Sequence, residues 1–335
     1  DDIATENPRV VAGFIEIYGN WIDRFGVDGF RIDTAQHVNP EFWQAFVPAM
    51  LTRAKARGIP NFHIFGEVMN QDRDVARQAY WNRAANLPSL MDYAASRAIL
   101  EVAAGNAPTD HISTAFRGDI LYEGGERAAG QMLIFSGNYD IGRFGYFVGS
   151  MSPGADDAER LARAKLVNAM VMTMRGVPAL YAGDEQGFTG DGHDQDARES
   201  LFASRVASYN DNKLIGTRAT TASSNFDTKH PLYQQIARLA AIRRAHPALA
   251  RGRQIIRNAG DSPGVIAISR IDPATGKEVI AVFNSSGVAV TQNIVVDAAS
   301  LGFRTIEGPC PTAARVPGSL SISLPAFGYM ICAAQ

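Results

Sequence analysis

A change of period constrains this chain more than any other feature of its sequence. Up to about residue 245, apolar residues recur at helical spacing, broken by short apolar runs that end in glycine and polar residues. From about Gly252 the pattern switches to an alternation of two. Residues 8–25 (PRVVAGFIEIYGNWIDRF) place Val11, Ile15, Tyr18 and Ile22 on one face, with Asn7 and Pro8 as cap and first turn. Further helices read at 40–57, 71–81, 94–104, 111–116, 158–174 and 233–245, and strands at 29–33, 62–66, 89–92, 131–137 and 177–182.

Strands that alternate with helices form parallel sheets, because parallel neighbours need crossover connections. Polar, glycine-rich segments follow the strands repeatedly, as the active face of a (β/α)-barrel requires. A complete barrel has eight units in typically about 250 residues, and five are legible here. The expected fold is therefore α/β, a partial (β/α)8 barrel over residues 1–250. A small antiparallel β-sandwich domain follows over 251–335, where VIAISRI, KEVIAVFNSS, VTQNIVVD and SLSISLPAFGYMIC are split by the turns DSPG, PATGK and SSG. A barrel lacking three strands has two open sheet edges, so the sequence reads as an N-terminally truncated part of a longer protein.

Composition removes whole classes of function. Lys and Arg total 32 against 34 Asp and Glu, a net charge of −2, which gives no footprint for nucleic acid or an anionic membrane surface. No apolar run approaches the roughly 20 residues of a membrane span. The six histidines show no zinc spacing. Cys310 and Cys332 are either two buried thiols or a disulfide clipping the last strand to its neighbour. The bridge is the expectation, and with it export of the parent protein, secreted or periplasmic, against a cytoplasmic alternative. A monomer is expected.

Carboxylates stand at the strand ends. In Gly29-Phe30-Arg31-Ile32-Asp33, residues two apart point the same way, so Arg31 and Asp33 share the inner face. A guanidinium beside a carboxylate keeps it ionised, as a nucleophile requires. Glu67 ends the next strand among apolar neighbours, an environment suited to a general acid. Asp140 closes Ser136-Gly137-Asn138-Tyr139-Asp140 on the fourth strand. Each alone reads as a rim carboxylate capping the following helix. Together they are the equipment of glycoside hydrolysis, and a retaining enzyme would hold the first two about 5–5.5 Å apart.

Four segments, in order, resemble the α-amylase family of retaining glycoside hydrolases. GFRIDTAQHV is similar to its fourth-strand motif, FGEV to its fifth-strand acid, FSGNYD to its seventh-strand motif and RGVPALYAGDE to its eighth. The resemblance implies Asp33 as nucleophile, Glu67 as acid/base and Asp140 as the third carboxylate, holding sugar hydroxyls in the transition state. It also implies Arg31 beside the nucleophile, His37 shaping the sugar-proximal loop, and Asn138 and Tyr139 among the substrate-binding residues. Asp2 would lie near the family's metal-binding region; no cofactor is certain and no metal ligand is assigned in this chain, calcium being a question for the full-length parent. The implied activity is retaining hydrolysis of α-1,4 bonds in starch or maltodextrin, so the expected partner is an α-glucan. The alternatives are an α-glucosidase or glucan-transferring enzyme of the same family, or a catalytically weakened glycan binder. Two departures stand out: Tyr139 occupies a place the family normally gives to His, and the first-motif Asp and His, the first three strands and the B domain are absent from this sequence.

Remaining candidates are read more plainly. Asp191-Gly192-His193-Asp194-Gln195-Asp196, with Glu199 after it, is taken as a substrate-rim loop, with a calcium loop as the alternative. Trp43, Tyr80 and Trp81 are expected in the core, and His63 as a satisfied core histidine. Tyr122, Tyr139, Phe144 and Tyr146 are candidates for sugar stacking.

Overall fold

Gly29 fixes the first strand. In the computed structural model of the protein, which describes residues 3–70 and 72–335, a Cβ on Gly29 would meet the His63 carbonyl oxygen at 2.2 Å. Only glycine lets β1 (Gly29–Ile32) run beside β2 (His63–Gly66) at that point. β1, β2 and β3 (Ser89–Leu90) form a parallel sheet in that order, with Arg31 opposite Phe65 and Phe65 opposite Ser89. Met91 adds a parallel bridge to Leu133.

These strands belong to the first of two compact units, Asp1–Ala94 with Arg117–Leu133. Its helices follow the sequence pattern. Pro8–Asn20 starts at Asn7, whose side chain accepts from the Arg9 amide, and passes into one wider turn, Trp21–Phe25, that ends at left-handed Gly26. Pro40–Ala56 buries Phe42, Trp43, Phe46, Val47 and Met50 against Ile64, Leu87 and Leu90. Val75–Ala84 begins later than the expected 71–81, at the Asp74 cap. Gln71, where the expected helix starts, lies outside the described residues. Tyr80 is a correction: it is 57% exposed, because Ala79 and Gln78 face inward on this helix instead. His63 is a second, half-buried with its Nε2 enclosed but without a hydrogen bond, and burial lowers its pKa.

The second unit is Ala95–Phe116 with Ile134–Gln335. β4 (Leu133–Ile134) and β5 (Val177–Pro178) are only two residues each, shorter than the apolar runs that announce them. Their pairing is marked by the Ala179 amide donating to the Ile134 carbonyl at 2.8 Å. Helix Asp157–Thr173, capped by Asp156, is buried along most of its last three turns. Helix Phe144–Met151, which the sequence pattern does not announce, packs Phe144 and Val148 into the same core. Among the described residues no helix is long and apolar enough to cross a membrane.

The C-terminal part of this unit, from Arg253, is antiparallel. β6 (Arg253–Asn258), β7 (Val265–Ile271), β8 (Glu278–Asn284), β10 (Phe303–Glu307) and β12 (Tyr329–Ala334) make a sheet in the order β10-β12-β8-β7-β6. β9 (Val290–Val295) pairs with β11 (Ser319–Leu324). Alternate residues of β7, β8 and β12 face these two strands in a small core of Val265, Ala267, Ile280, Val282, Met330 and Cys332 with Ile294, Leu320, Ile322 and Leu324. The other set, Ile266, Ile268, Val279, Ala281, Phe283 and Ile331, faces the helical core. Thus β7 and β8 are buried on both faces and carry few polar residues. Buried Arg270 reaches from β7 to the carbonyls of Thr173 and Gly252 at 2.8 and 3.0 Å. Burial, with Arg243 and Arg175 adding, pushes its pKa down to about 9. Cys310 and Cys332 are bonded, as expected, with Cα atoms 5.9 Å apart.

Candidate active site

Two backbone hydrogen bonds join the ends of β1 and β2: Glu67 N–H donates to the Ile32 carbonyl (2.8 Å) and Ala35 N–H to the Glu67 carbonyl (3.0 Å). Trp43, buried as expected, donates its indole N–H to the Ala35 carbonyl at 3.0 Å and anchors the turn Ala35–His37. Between these anchors Thr34 is left-handed, with φ 43°, a conformation that costs a β-branched residue about 1–2 kcal/mol. The strain aims the Thr34 amide at Glu67 Oε2, 3.2 Å away.

Arg31 is the hub of this group. Its Nη1 lies 2.5 Å from Asp33 Oδ1 and its Nη2 3.3 Å from Glu67 Oε2, so one guanidinium holds both carboxylates. Their environments differ sharply. The Asp33 side chain is 65% exposed and that of Glu67 4%. Tyr93 donates its hydroxyl to Glu67 Oε1 at 3.1 Å. The apolar sleeve expected around Glu67 is thus a polar cradle. Its strand neighbours are apolar, but its contacts come from Thr34 and Tyr93, distant in sequence. The signal for Tyr93 is its place just after the third strand. His37 ends the turn with its side chain exposed. Asp2 lies outside the described residues.

The second unit carries the other motif residues. Asn138 is buried, and its Oδ1 accepts from the amides of Asp140 and Ile141, each at 2.9 Å, in a turn closed by the Asn138–Gly142 bridge. Tyr139 and Asp140 are half-buried. The Arg198 guanidinium lies 5.0 Å from the Tyr139 ring centroid and 3.7 Å from Asp140 Oδ1. Tyr122 and Phe144 are fully buried, which removes both as stacking platforms.

Behind Asp140, fully buried Arg143 donates to Asp184 Oδ1 (3.0 Å), Glu199 Oε2 (2.5 Å) and the carbonyls of Ala182 and Glu199, and lies 4.1 Å from the Tyr181 ring centroid. Burial raises Asp184 to about 7 and raises Glu199, with Arg143 opposing both shifts. Two members are visible in the sequence, Asp184 inside the eighth-strand motif and Glu199 after the rim loop, but Arg143, which joins them, is not. The cluster corrects the calcium-loop alternative: Glu199 is engaged by Arg143, the Gly190 amide and Asn212. Among the described residues no group of three or more His, Cys, Asp or Glu could hold a metal ion.

Comparison with known proteins gives a consistent picture. A family model described as alpha amylase, catalytic domain, matches residues 1–252. The chain is 38% identical over 332 residues to an alpha-amylase of Streptomyces lividans, covering 99% of this chain and 36% of that protein. It is 24% identical over 335 residues to a cyclomaltodextrinase of Geobacillus thermopakistaniensis, covering 49% of it. It therefore spans from about a third to a half of the length of these relatives. Among solved structures, the alpha-amylase of Geobacillus thermoleovorans complexed with acarbose superposes with a TM-score of 0.77 at 20% identity, over 100% of this chain and 66% of that one. A cyclomaltodextrin glucanotransferase with a three-domain distribution gives 0.73 at 18%, over 99% and 61%. At such identities these likenesses speak for the fold, a (β/α) barrel followed by an antiparallel β domain.

Proposed function

This chain belongs to the alpha-amylase family, and we propose that the protein cleaves α-1,4 bonds of starch-type glucans with retention, by double displacement. The observation that carries the reading is the guanidinium of Arg31 shared by an exposed Asp33 and a buried Glu67. An exposed, cation-paired carboxylate suits a nucleophile. A buried carboxyl held at both oxygens suits proton transfer at a fixed point.

In the first step Asp33 attacks the anomeric carbon as the C–O bond to the leaving sugar breaks, and Glu67 gives its proton to the departing oxygen. In the second, Glu67 takes a proton from water as that water attacks the anomeric carbon, and Asp33 leaves as a carboxylate. Asp140 and Tyr139, by their motif, hold the hydroxyls of the reacting sugar. If a sugar hydroxyl replaces the water, the same steps give glucan transfer. The cyclomaltodextrinase and glucanotransferase among the relatives favour keeping that second reading. The bonded Cys310–Cys332 pair supports an exported protein.

The test is incubation of the whole protein with maltodextrin, following reducing sugar and product anomer. Hydrolysis predicts new reducing ends of α configuration; transfer predicts longer or cyclic glucans with few reducing ends. Asp33→Asn and Glu67→Gln should each lose several orders of magnitude in kcat. Full activity in either variant would reject the mechanism.

A further inference from the structure

The loop after β5 is fastened to the Asn138–Arg143 turn in more ways than a flexible rim needs. Gly142, at φ 107°, has no room for a side chain because a Cβ would meet the Gly192 carbonyl at 2.7 Å. The Asp194 amide donates to the Asp140 carbonyl at 3.3 Å. Tyr209 and Tyr181 hydroxyls hold the carbonyls of Gln195 and Ala197 at 2.6 and 3.0 Å. On this braced turn Arg198 pairs with Asp194 at 2.8 Å and extends over Tyr139 and toward Asp140. Tyr181, whose ring Arg143 covers, meets Tyr139 edge-on at 6.4 Å.

We propose that Arg198 is a positioning residue for the sugar-holding pair Tyr139 and Asp140, fixing the ring plane by stacking and the carboxylate by charge. The inference rests on the reading that Asp140 serves the reaction. A guanidinium suits both roles, since its flat face lies on the ring while its edge addresses an oxygen. An ammonium can supply the charge but not the plane. The Asp191–Asp196 segment then has a role as well, because it carries the brace that holds Arg198.

The experiment is steady-state kinetics on maltodextrin with the whole protein. Arg198→Ala should lower kcat about 10–100-fold, the scale of misplacing a reacting group. KM should change less than about threefold. The thermal midpoint should stay within about 2 °C, because a side chain 42% exposed contributes little to stability. Arg198→Lys should recover part of kcat. In a Tyr139→Ala background the loss from Arg198→Ala should shrink, since the partner is gone. An Arg198→Ala enzyme with wild-type kcat, a loss confined to KM, or losses that simply add in the double variant would overturn the proposal. A wild type that never turns over maltodextrin fails the functional reading itself, and the role of Arg198 falls with it. A wild type that turns over beside an unaffected Arg198→Ala removes the role alone.

Discussion

Tyr93 donates its hydroxyl to Glu67 Oε1 across 3.1 Å, and both side chains are buried. With Thr34 and Arg31 on Oε2, this contact fixes the plane of the carboxyl group. Tyr93→Phe deletes the hydroxyl and keeps the ring. A hydrogen bond to a charged group contributes about 1.5–3 kcal/mol, so kcat should fall roughly 10–100-fold with KM little changed. Progress curves with a saturating maltodextrin decide the point; an undiminished kcat means the contact does not orient Glu67 in the reaction.

Arg31 gives a sharper contrast between shape and charge. Arg31→Lys leaves a cation but not two nitrogens placed to meet Asp33 and Glu67 together. Both Arg31→Lys and Arg31→Met should lose about 10²–10³ in kcat, the cost of removing one preorganised donor. Arg31→Lys should stay within about 1 kcal/mol of wild type in unfolding free energy, because the Asp33 pair is exposed, whereas Arg31→Met, which leaves the buried Glu67 without its cation, should unfold more easily. Near-normal turnover by Arg31→Lys would show that charge alone suffices.

Elements with strong local signals were legible in the sequence. The helix start at Asn7-Pro8 is a side-chain cap, visible in the residues themselves. Strand lengths were overread because an apolar run says that a segment is buried, not how far it pairs; β3, β4 and β5 pair over two residues each. Asp33, Glu67 and Asp140 could be picked out as strand-end carboxylates. Their partners could not. Tyr93 reaches Glu67 across 26 positions, and Arg198 reaches Asp140 across a loop whose course depends on Gly142 and Gly192 meeting.

The Cys310–Cys332 bridge closes a 22-residue separation and ties the segment after β10 to the buried strand β12. For a loop of that size the chain-entropy gain is about 3 kcal/mol. Cys310→Ser with Cys332→Ala, which puts no hydroxyl into the position Cys332 occupies in the core, should lower the unfolding free energy by about 2–4 kcal/mol. Denaturant titration of that variant against wild type, each with and without reductant, reads the difference. A variant as stable as oxidised wild type would show that the bridge adds nothing.

Asp184 makes stability depend on pH in a defined direction. One cation, Arg143, serves two buried carboxylates, and Asp184 Oδ2 has no hydrogen-bond partner. Burial raises the folded pKa of Asp184 to about 7 from 3.8. The folded state therefore holds its proton more tightly than the unfolded chain. This contribution is fully present below about pH 3.8, declines as pH rises through the interval, and is gone above about 7. Asp184→Asn keeps an acceptor for Arg143, offers an N–H₂ where Oδ2 stood, and cannot titrate. Between pH 4.5 and 7 the wild type should lose stability relative to the variant with a slope approaching about 1.4 kcal/mol per pH unit, the value for one proton. Above about pH 7.5 the two curves should run parallel. Glu199→Gln serves as the comparison, since Glu199 shares the cation and is also raised by burial. Unfolding free energies at five pH values settle the matter: curves for wild type and Asp184→Asn that stay parallel from pH 4.5 to 7 would mean that Asp184 remains ionised beside Arg143 throughout.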